Sequence, residues 1–328
     1  MTGWPDLRAR VSKAFRVARE QGLGGLLRVL YSRFRSRSHQ PMPSLRRAEE
    51  WLSYYEHRKE VSQPRQGGET SLPRVSVLIL TYNNLLLTQI CLRSIFCNTS
   101  YPGYEVIVVD NGSTDGTPAW LQALAATHPR LRLILNASNR GFSAGNNQAA
   151  HEAHGDYLIF LNNDTVVTSG WIEGFLAHME ADPSIGLIGP VTNGTGNEAR
   201  IPASYQTPAE MEALARQLAR TMRMRSFDIR MLAFFCVMVR AGEFQRLGGL
   251  DERFGVGMFE DEDIALRYKQ QGLRVVCAED VFIHHFWRAS FGNLNQDRYR
   301  RLFAENRGKF EAKWGQEWEP YRHRRIAP

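Results

Sequence analysis

Short apolar runs that each stop on a polar cluster recur through the middle of the chain. Val75–Leu80 ends in Thr81-Tyr82-Asn83-Asn84, and Tyr104–Val109 ends in Asp110-Asn111-Gly112-Ser113-Thr114-Asp115-Gly116-Thr117. A third run, 156–161, ends in Asn162-Asn163-Asp164. Runs of this length rich in Val, Ile, Leu and Phe predict buried strands. Between them lie helical patterns over 85–98 and 118–127, a strand over Leu131–Leu135, and a helix that opens in Asn139–Asn147 and continues to about His154. Strands alternating with helices predict a mostly parallel, right-handed, doubly wound α/β sheet. Each polar cluster then falls at the C-terminal end of a strand, where such sheets gather their ligands.

The second half is less regular. Helices are predicted over Trp171–Glu180, Pro208–Arg223 and from Glu260 to Tyr268, and strands over Ile185–Gly189, Met231–Arg240, Val275–Cys277 and Val281–Ile283. Thr192–Thr207 is a long polar, Gly-rich stretch, read as a functional or mobile loop. The last strand delivers His284-His285, and the tail with Trp314 and Trp318 reads as helical.

At the other end, Trp4, Leu7, Val11, Phe15 and Ala18 recur at helical steps, and Leu26, Leu27, Leu30, Tyr31 and Phe34 do so again after a Gly interruption. A second helical piece spans Leu45–Lys59, and residues 63–69 read as a linker. The expected organisation is a basic helical arm and linker over 1–72, a main domain over 73–291 and a helical tail over 292–328. Within the main domain, 73–168 and 169–291 form two halves.

Charge changes this picture in one respect. The net charge is +7, and residues 1–40 hold nine basic residues against two acidic ones, so residues 41–328 are neutral overall. The basic balance belongs to the arm, which removes the main support for a nucleic-acid partner. A basic amphipathic helix fits an anionic membrane surface, or docks on its own domain or on a partner. The length of 328 residues, 43% hydrophobic, allows one large α/β domain with an appendage or two small ones. No run is long enough to cross a bilayer, and no secretory pattern is present. Cys91, Cys97, Cys236 and Cys277 form no CxxC pair and fit a reducing compartment. The expected location is the cytoplasm, with peripheral attachment at the inner face of the cytoplasmic membrane through residues 1–40.

Several clusters carry candidate chemistry. Asp110 can accept hydrogen bonds from a ribose or base, or form an Asx turn. Arg140-Gly141 with Gly145-Asn146-Asn147 sets a cation and small residues at a helix start, which suits an anion or a tight structural loop. Asn162-Asn163-Asp164 offers hard oxygen ligands for Mg²⁺ or Mn²⁺, and a histidine from His284 or His285 would tilt the choice towards manganese-like ions. Glu260-Asp261-Glu262-Asp263 lies between apolar and Gly-rich flanks. Partial burial of such a cluster raises a carboxylate pKa and makes a usable general base, whereas full exposure makes it a solvated first turn.

In order along residues 73–291, Val-Ser-Val-Leu-Ile-Leu-Thr-Tyr-Asn, Val-Val-Asp-Asn-Gly-Ser-Thr-Asp-Gly-Thr, Asn-Arg-Gly-Phe-Ser-Ala-Gly-Asn-Asn, Phe-Leu-Asn-Asn-Asp-Thr, Phe-Glu-Asp-Glu-Asp-Ile-Ala-Leu-Arg and the His-His…Ser segment resemble the family 2 glycosyltransferases, nearest the bacterial rhamnosyltransferase-like branch. The resemblance implies a GT-A fold, a Rossmann-like α/β sheet flanked by helices. It implies inverting transfer of a sugar from a nucleotide-diphosphate donor to a glycan or lipid-linked acceptor, in bacterial surface polysaccharide synthesis, with 73–168 as the nucleotide-sugar half and 169–291 as the acceptor and catalytic-base half. It places Asp110 and Arg140 at the nucleotide, with Thr81, Tyr82 and Asn83 alongside, and Gly141, Asn146, Asn162 and Asn163 at the nucleotide sugar. Asn162-Asn163-Asp164 matches the metal-binding DxD motif with Asn162 where an aspartate is usual, leaving Asp164 as the main ligand and His284 as the favoured histidine. Asp261 becomes the catalytic base, supported by Glu260 and Asp263, and His285 and Trp287 fall on the acceptor side.

Two other classes compete. A sugar nucleotidylyltransferase predicts a Gly-rich basic loop after the first strand, where this chain has Thr81–Asn84. A non-catalytic carbohydrate-binding protein predicts an acid cluster away from the crevice.

Overall fold

The computed structural model describes residues 45–61, 72–287 and 296–320. The basic arm of residues 1–40 and the linker at 63–69 lie outside them. Among the described residues no helix is long and apolar enough to cross a membrane.

Eight strands form the main sheet. β1 (Val75–Thr81), β2 (Tyr104–Asp110), β3 (Leu131–Leu135) and β4 (Tyr157–Asn162) pair in parallel in the order β3-β2-β1-β4. The order continues through β8 (Cys236–Arg240), β6 (Ile185–Val191), β9 (Arg274–Phe282) and β7 (Ser226–Asp228). β8 is antiparallel to both β4 and β6, while β6 and β9 are parallel. Six of the eight strands therefore point the same way, as the alternating pattern predicts. The central strands are buried along nearly their whole length, the expected state of a sheet covered on both faces.

β8 is shorter than the apolar stretch Met231–Arg240 suggests. Its pairing with β4 runs from Tyr157↔Arg240 to Leu161↔Cys236 and stops where β4 ends, so the buried residues 231–235 have no strand beside them. β9 is one strand where two were expected, because β6 and β7 both pair with its middle. A separate two-stranded ribbon pairs β5 (Thr165–Val166) with β10 (His284–His285), antiparallel.

α1 (Leu45–Glu56), placed by sequence before the main domain, packs onto it: Trp51 and Tyr55 are fully buried in the core. Tyr55 Oη donates to Glu212 Oε1 at 3.3 Å, and Asn98 Nδ2 donates to the same oxygen at 3.2 Å. The C-terminal helix Gln296–Trp314 is likewise built in, through Phe310 and Asn306, both buried. Asn306 Nδ2 donates to the carbonyls of Phe254 and Gly257, each at 2.8 Å.

Candidate active site

The loops after β1, β2 and β3 form a single hydrogen-bonded platform. Asn83 adopts φ 57°, a left-handed conformation that asparagine tolerates. Its N–H donates to Ser113 Oγ at 2.7 Å and its Oδ1 accepts from Thr114 N–H at 2.8 Å. Tyr82 is held at the surface beside it, 46% exposed. Asn111 organises the rest: its Oδ1 accepts from Arg140 N–H at 3.0 Å and its Nδ2 donates to Gly141 O at 3.1 Å. Asp110 is buried, with Oδ2 accepting from Ser113 N–H at 2.9 Å, while Oδ1 has no donor. A buried carboxylate oxygen without a donor is costly and fits a ligand N–H. The Arg140 side chain is exposed nearby in sequence to these groups.

Gly141 joins this platform to the segment that leads to the acid cluster. At φ 90° a Cβ would collide with the Gly255 carbonyl, and the next residue, Phe142, donates its N–H to that carbonyl at 2.9 Å. Asn147 adds a second tie, donating from Nδ2 to Leu250 O at 2.9 Å and accepting Leu250 N–H at 2.8 Å. The segment that leads to the acids is thus tied to the platform. Asn146 is turned inward, with Nδ2 on Phe142 O at 3.0 Å.

Within the helix Glu260–Gln270 the four acids divide into two pairs. Glu262 is buried against the Arg230 guanidinium and accepts from Trp318 Nε1 at 2.7 Å. Asp263, fully buried, accepts from Arg267 Nε at 2.9 Å, Lys313 Nζ at 2.6 Å and Trp314 Nε1 at 2.9 Å. Both lock the C-terminal helix in place. The expectation that Asp263 stands in support of Asp261 is therefore corrected: its oxygens are taken by the C-terminal segment. Among the described residues Glu260 and Asp261 pair with no cation. Burial, then the neighbouring Asp261 charge, pushes Glu260 up to about 8, and burial, then Glu262, pushes Asp261 up to about 7. The helix is entered through Met258 and Phe259 at φ 78° and 74°, strained positions of the kind that cluster at functional sites.

The third corner is the turn between β4 and β5. Asn162 closes β4 with its N–H on Phe235 O at 2.8 Å, and its carbonyl accepts from Thr165 Oγ1 at 2.7 Å. Asn163 turns inward, donating from Nδ2 to Thr81 Oγ1 at 3.1 Å and Thr88 Oγ1 at 2.9 Å. Thr81 is thereby a buried brace of the turn. Asp164 is buried, and its carbonyl accepts Phe286 N–H at 2.9 Å. The β5–β10 ribbon sets His285 opposite Thr165, and His285 Nε2 lies 3.3 Å from Asp164 Oδ1, an oxygen with no hydrogen-bond donor.

His284 points the other way, because successive residues of a strand face opposite sides. Its Nδ1 meets Tyr205 Oη at 2.6 Å and its ring packs on Trp51 with centroids 4.5 Å apart. Burial pushes its imidazole down to about 3, so it is neutral. The choice of His284 as the histidine beside Asp164 is thus corrected to His285. Trp287 lies past the ribbon at φ 25°, its ring under the Arg200 guanidinium at 5.9 Å.

The Asp164–His285 corner fits a divalent cation. His285 Nδ1 is 2.8 Å from Gly194 O and donates to it, which turns Nε2 towards Asp164, the orientation typical of a ligating histidine. The 3.3 Å between Nε2 and Asp164 Oδ1 matches the separation of adjacent ligands bonded to one cation at about 2.1 Å. Among the described residues no cluster of three or more His, Cys, Asp or Glu could hold a metal, so the protein supplies two donors of this type and a diphosphate or water would supply others. Asn111 and Gly194 were given no role from sequence, and Asn147 only as part of the Gly145-Asn146-Asn147 cluster. Asn111 had a signal, since it directly follows Asp110. Gly194 is 91 residues from its histidine and had none.

The profile described as "Glycosyl transferase family 2" matches residues 76–248. The O-antigen biosynthesis protein RfbC of Myxococcus xanthus is 31% identical over 228 residues, which is 65% of this chain and 17% of that protein. The N-acetylglucosaminyl-diphospho-decaprenol L-rhamnosyltransferase of Mycobacterium tuberculosis is 26% identical over 236 residues, 64% of this chain and 75% of the relative. Among solved structures, a mannosyltransferase of Pyrobaculum calidifontis in complex with GDP-Man and Mn²⁺ superposes with a TM-score of 0.55 at 20% identity, covering 84% of this chain and 73% of the other. That likeness carries the fold.

Proposed function

The chain belongs to glycosyl transferase family 2, and from that premise we propose that it is an inverting glycosyltransferase of bacterial surface-polysaccharide synthesis. The donor is a nucleoside-diphosphate sugar and the acceptor a hydroxyl of a glycan or lipid-linked glycan. The names of the Myxococcus and Mycobacterium relatives support that substrate class, with rhamnose-type transfer as the nearest.

Asp110 Oδ1 accepts a base N–H, with Arg140 and the Tyr82–Asn83 turn completing the nucleotide site. Asp164 and His285 would hold a divalent cation, Mn²⁺ or Mg²⁺, with Asn162 as a further candidate donor. When bound, that ion offsets the charge that grows on the departing diphosphate. Asp261 takes the proton of the acceptor hydroxyl as its oxygen bonds to the anomeric carbon. The bond from that carbon to the diphosphate breaks on the opposite face, and the nucleoside diphosphate leaves with the electron pair. Burial and the neighbouring Asp261 charge favour the protonated form of Glu260, which keeps a second negative charge away from the base.

The observation that carries this reading is the division of the four acids. Two are neutralised by Arg230, Arg267 and Lys313, while Glu260 and Asp261 pair with no cation among the described residues and are raised towards neutral pH. Groups whose environments separate their pKa values mark acid–base work. The test is transfer by Asp261→Asn with radiolabelled donors: product formation is lost while donor binding by thermal shift is retained. Full turnover by this variant would remove the base assignment. A donor screen by thermal shift, with and without Mn²⁺, identifies the sugar and the nucleotide.

A further inference from the structure

The turn that follows the helix Pro208–Thr221 is not used by the site above. From residue 213 to residue 227 the chain has no acidic residue and four arginines, Arg216, Arg220, Arg223 and Arg225. All four are exposed: Arg216 and Arg220 lie four apart on the last turns of the helix, and Arg223 and Arg225 lie in and just after the turn. Their charges are weakly offset. Arg216 is 3.8 Å from Glu212, whose other oxygen pairs with Arg58, and Arg225 is 3.7 Å from Glu279.

Met224 stands among them, 43% exposed and at φ 58°. A left-handed methionine is unfavourable and must be held. Its N–H donates to Asp280 Oδ2 at 2.7 Å, while Asp280 Oδ1 meets His178 Nε2 at 2.8 Å. Arg225 N–H donates to Met222 O at 2.8 Å and Glu279 N–H to Arg225 O at 2.9 Å. A buried carboxylate thus fixes a turn that presents a flexible apolar side chain to solvent between two arginines. No aromatic ring lies within 216–225 to stack on nucleic-acid bases. Arginines around an exposed apolar tip match anionic head groups above acyl chains.

The topology adds a position. β9 is parallel to β6, and β6 and β4 are both antiparallel to β8, so β9 points the same way as β1, β2 and β4. Glu279 and Asp280 lie towards its C-terminal end. The turn therefore sits at the same edge of the sheet as the nucleotide and metal corners.

We propose that the Arg216–Arg225 turn docks the protein on an anionic phospholipid surface, with Met224 entering the interface and the crevice edge set against the bilayer. That this presents a lipid-linked acceptor rests on the glycosyltransferase reading; the docking does not.

The basic arm would bring the chain to vesicles by itself, so the test must report on the turn. In the full-length chain Met224→Cys takes an environment-sensitive maleimide dye, because the four native cysteines are buried. With phosphatidylglycerol vesicles its emission shifts to the blue, and with phosphatidylcholine vesicles it does not. A dye on His151→Cys, 87% exposed at the C-terminal end of the helix Phe142–His151 and so at the opposite edge, stays unshifted. The double variant R220E/R223E lowers partitioning onto phosphatidylglycerol about tenfold or more, with transfer to a water-soluble acceptor unchanged. A silent dye at position 224 while the chain sediments with the vesicles overturns the proposal, as does a dye that responds to DNA but not to vesicles. A blue shift in a protein that transfers no sugar supports docking and removes the glycosyltransferase reading alone.

Discussion

His285 Nε2 lies 3.3 Å from Asp164 Oδ1, and Gly194 O fixes the histidine's other nitrogen at 2.8 Å. His284, one residue earlier, meets Tyr205 instead. The two histidines should therefore separate cleanly in an assay. Asp164→Ala and His285→Ala each weaken activation by Mn²⁺ about 10–100-fold, read as a rightward shift of rate against metal concentration. His284→Ala lowers thermal stability and leaves that curve near its wild-type midpoint. A chelator abolishes activity in the wild type, and unchanged turnover in excess chelator would refute the metal corner.

The raised acids set a pH dependence. With Asp261 in its proposed role transfer requires the carboxylate, so kcat/KM rises as pH passes through about 7 and levels off above it. Asp261→Asn costs about 10²–10⁴-fold in kcat on that plateau, and the difference narrows as pH falls and the wild-type base is protonated. Stability runs the other way. An acid with a raised folded-state pKa binds more protons folded than unfolded, so its contribution is complete below the unfolded value and is lost as pH rises through the folded one. For Glu260 the window runs from about 4.3 to about 8. Glu260→Gln accordingly raises Tm relative to wild type at pH 9 and changes it little at pH 4. An equal Tm difference at both pH values would contradict a buried, raised Glu260.

How far the sequence revealed the site follows from what each residue depends on. Asp110, Asp164 and Asp261 were legible because each sits at the end of a strongly patterned strand or the start of a helix. The side of the ribbon that His285 faces was not, since a two-residue strand carries no periodicity and its register is set by pairing with Thr165 and Val166. The role of Asp263 was hidden for a similar reason: Arg267 is four residues away, but Lys313 and Trp314 reach it only in the folded chain. Trp51 looked like part of an appended arm because nothing local to it announces a core more than 200 residues away in sequence.

Gly141 carries a sharper expectation than its neighbours. Its φ of 90° and a Cβ position within 2.8 Å of Gly255 C leave no room for a side chain. Gly141→Ala strains the backbone by about 1–3 kcal/mol and pushes the Gly255 segment off the nucleotide platform. Donor KM should rise and kcat fall together, because the same contact aligns Arg140 and the approach to Asp261. Gly145→Ala, which would press on the flexible Leu80 side chain, is the control and should act mainly on stability. Wild-type kinetics in Gly141→Ala would mean that the two loops are not coupled.

Trp51 tests whether α1 belongs to the catalytic unit in energy as well as in space. Its ring packs on His284 at 4.5 Å and edge-on to Phe286 at 5.5 Å, the two residues that flank His285. Trp51→Ala removes a fully buried indole and should cost about 3–5 kcal/mol, measured by urea unfolding with the slope unchanged. The loss should spread to the metal corner, because Phe286 N–H holds the Asp164 carbonyl and loosening Phe286 loosens both. Trp51→Phe, which keeps most of the contact, restores stability and the Mn²⁺ midpoint together. A variant that is destabilised yet keeps an unshifted midpoint would show that α1 supports the fold without bearing on the Asp164–His285 geometry.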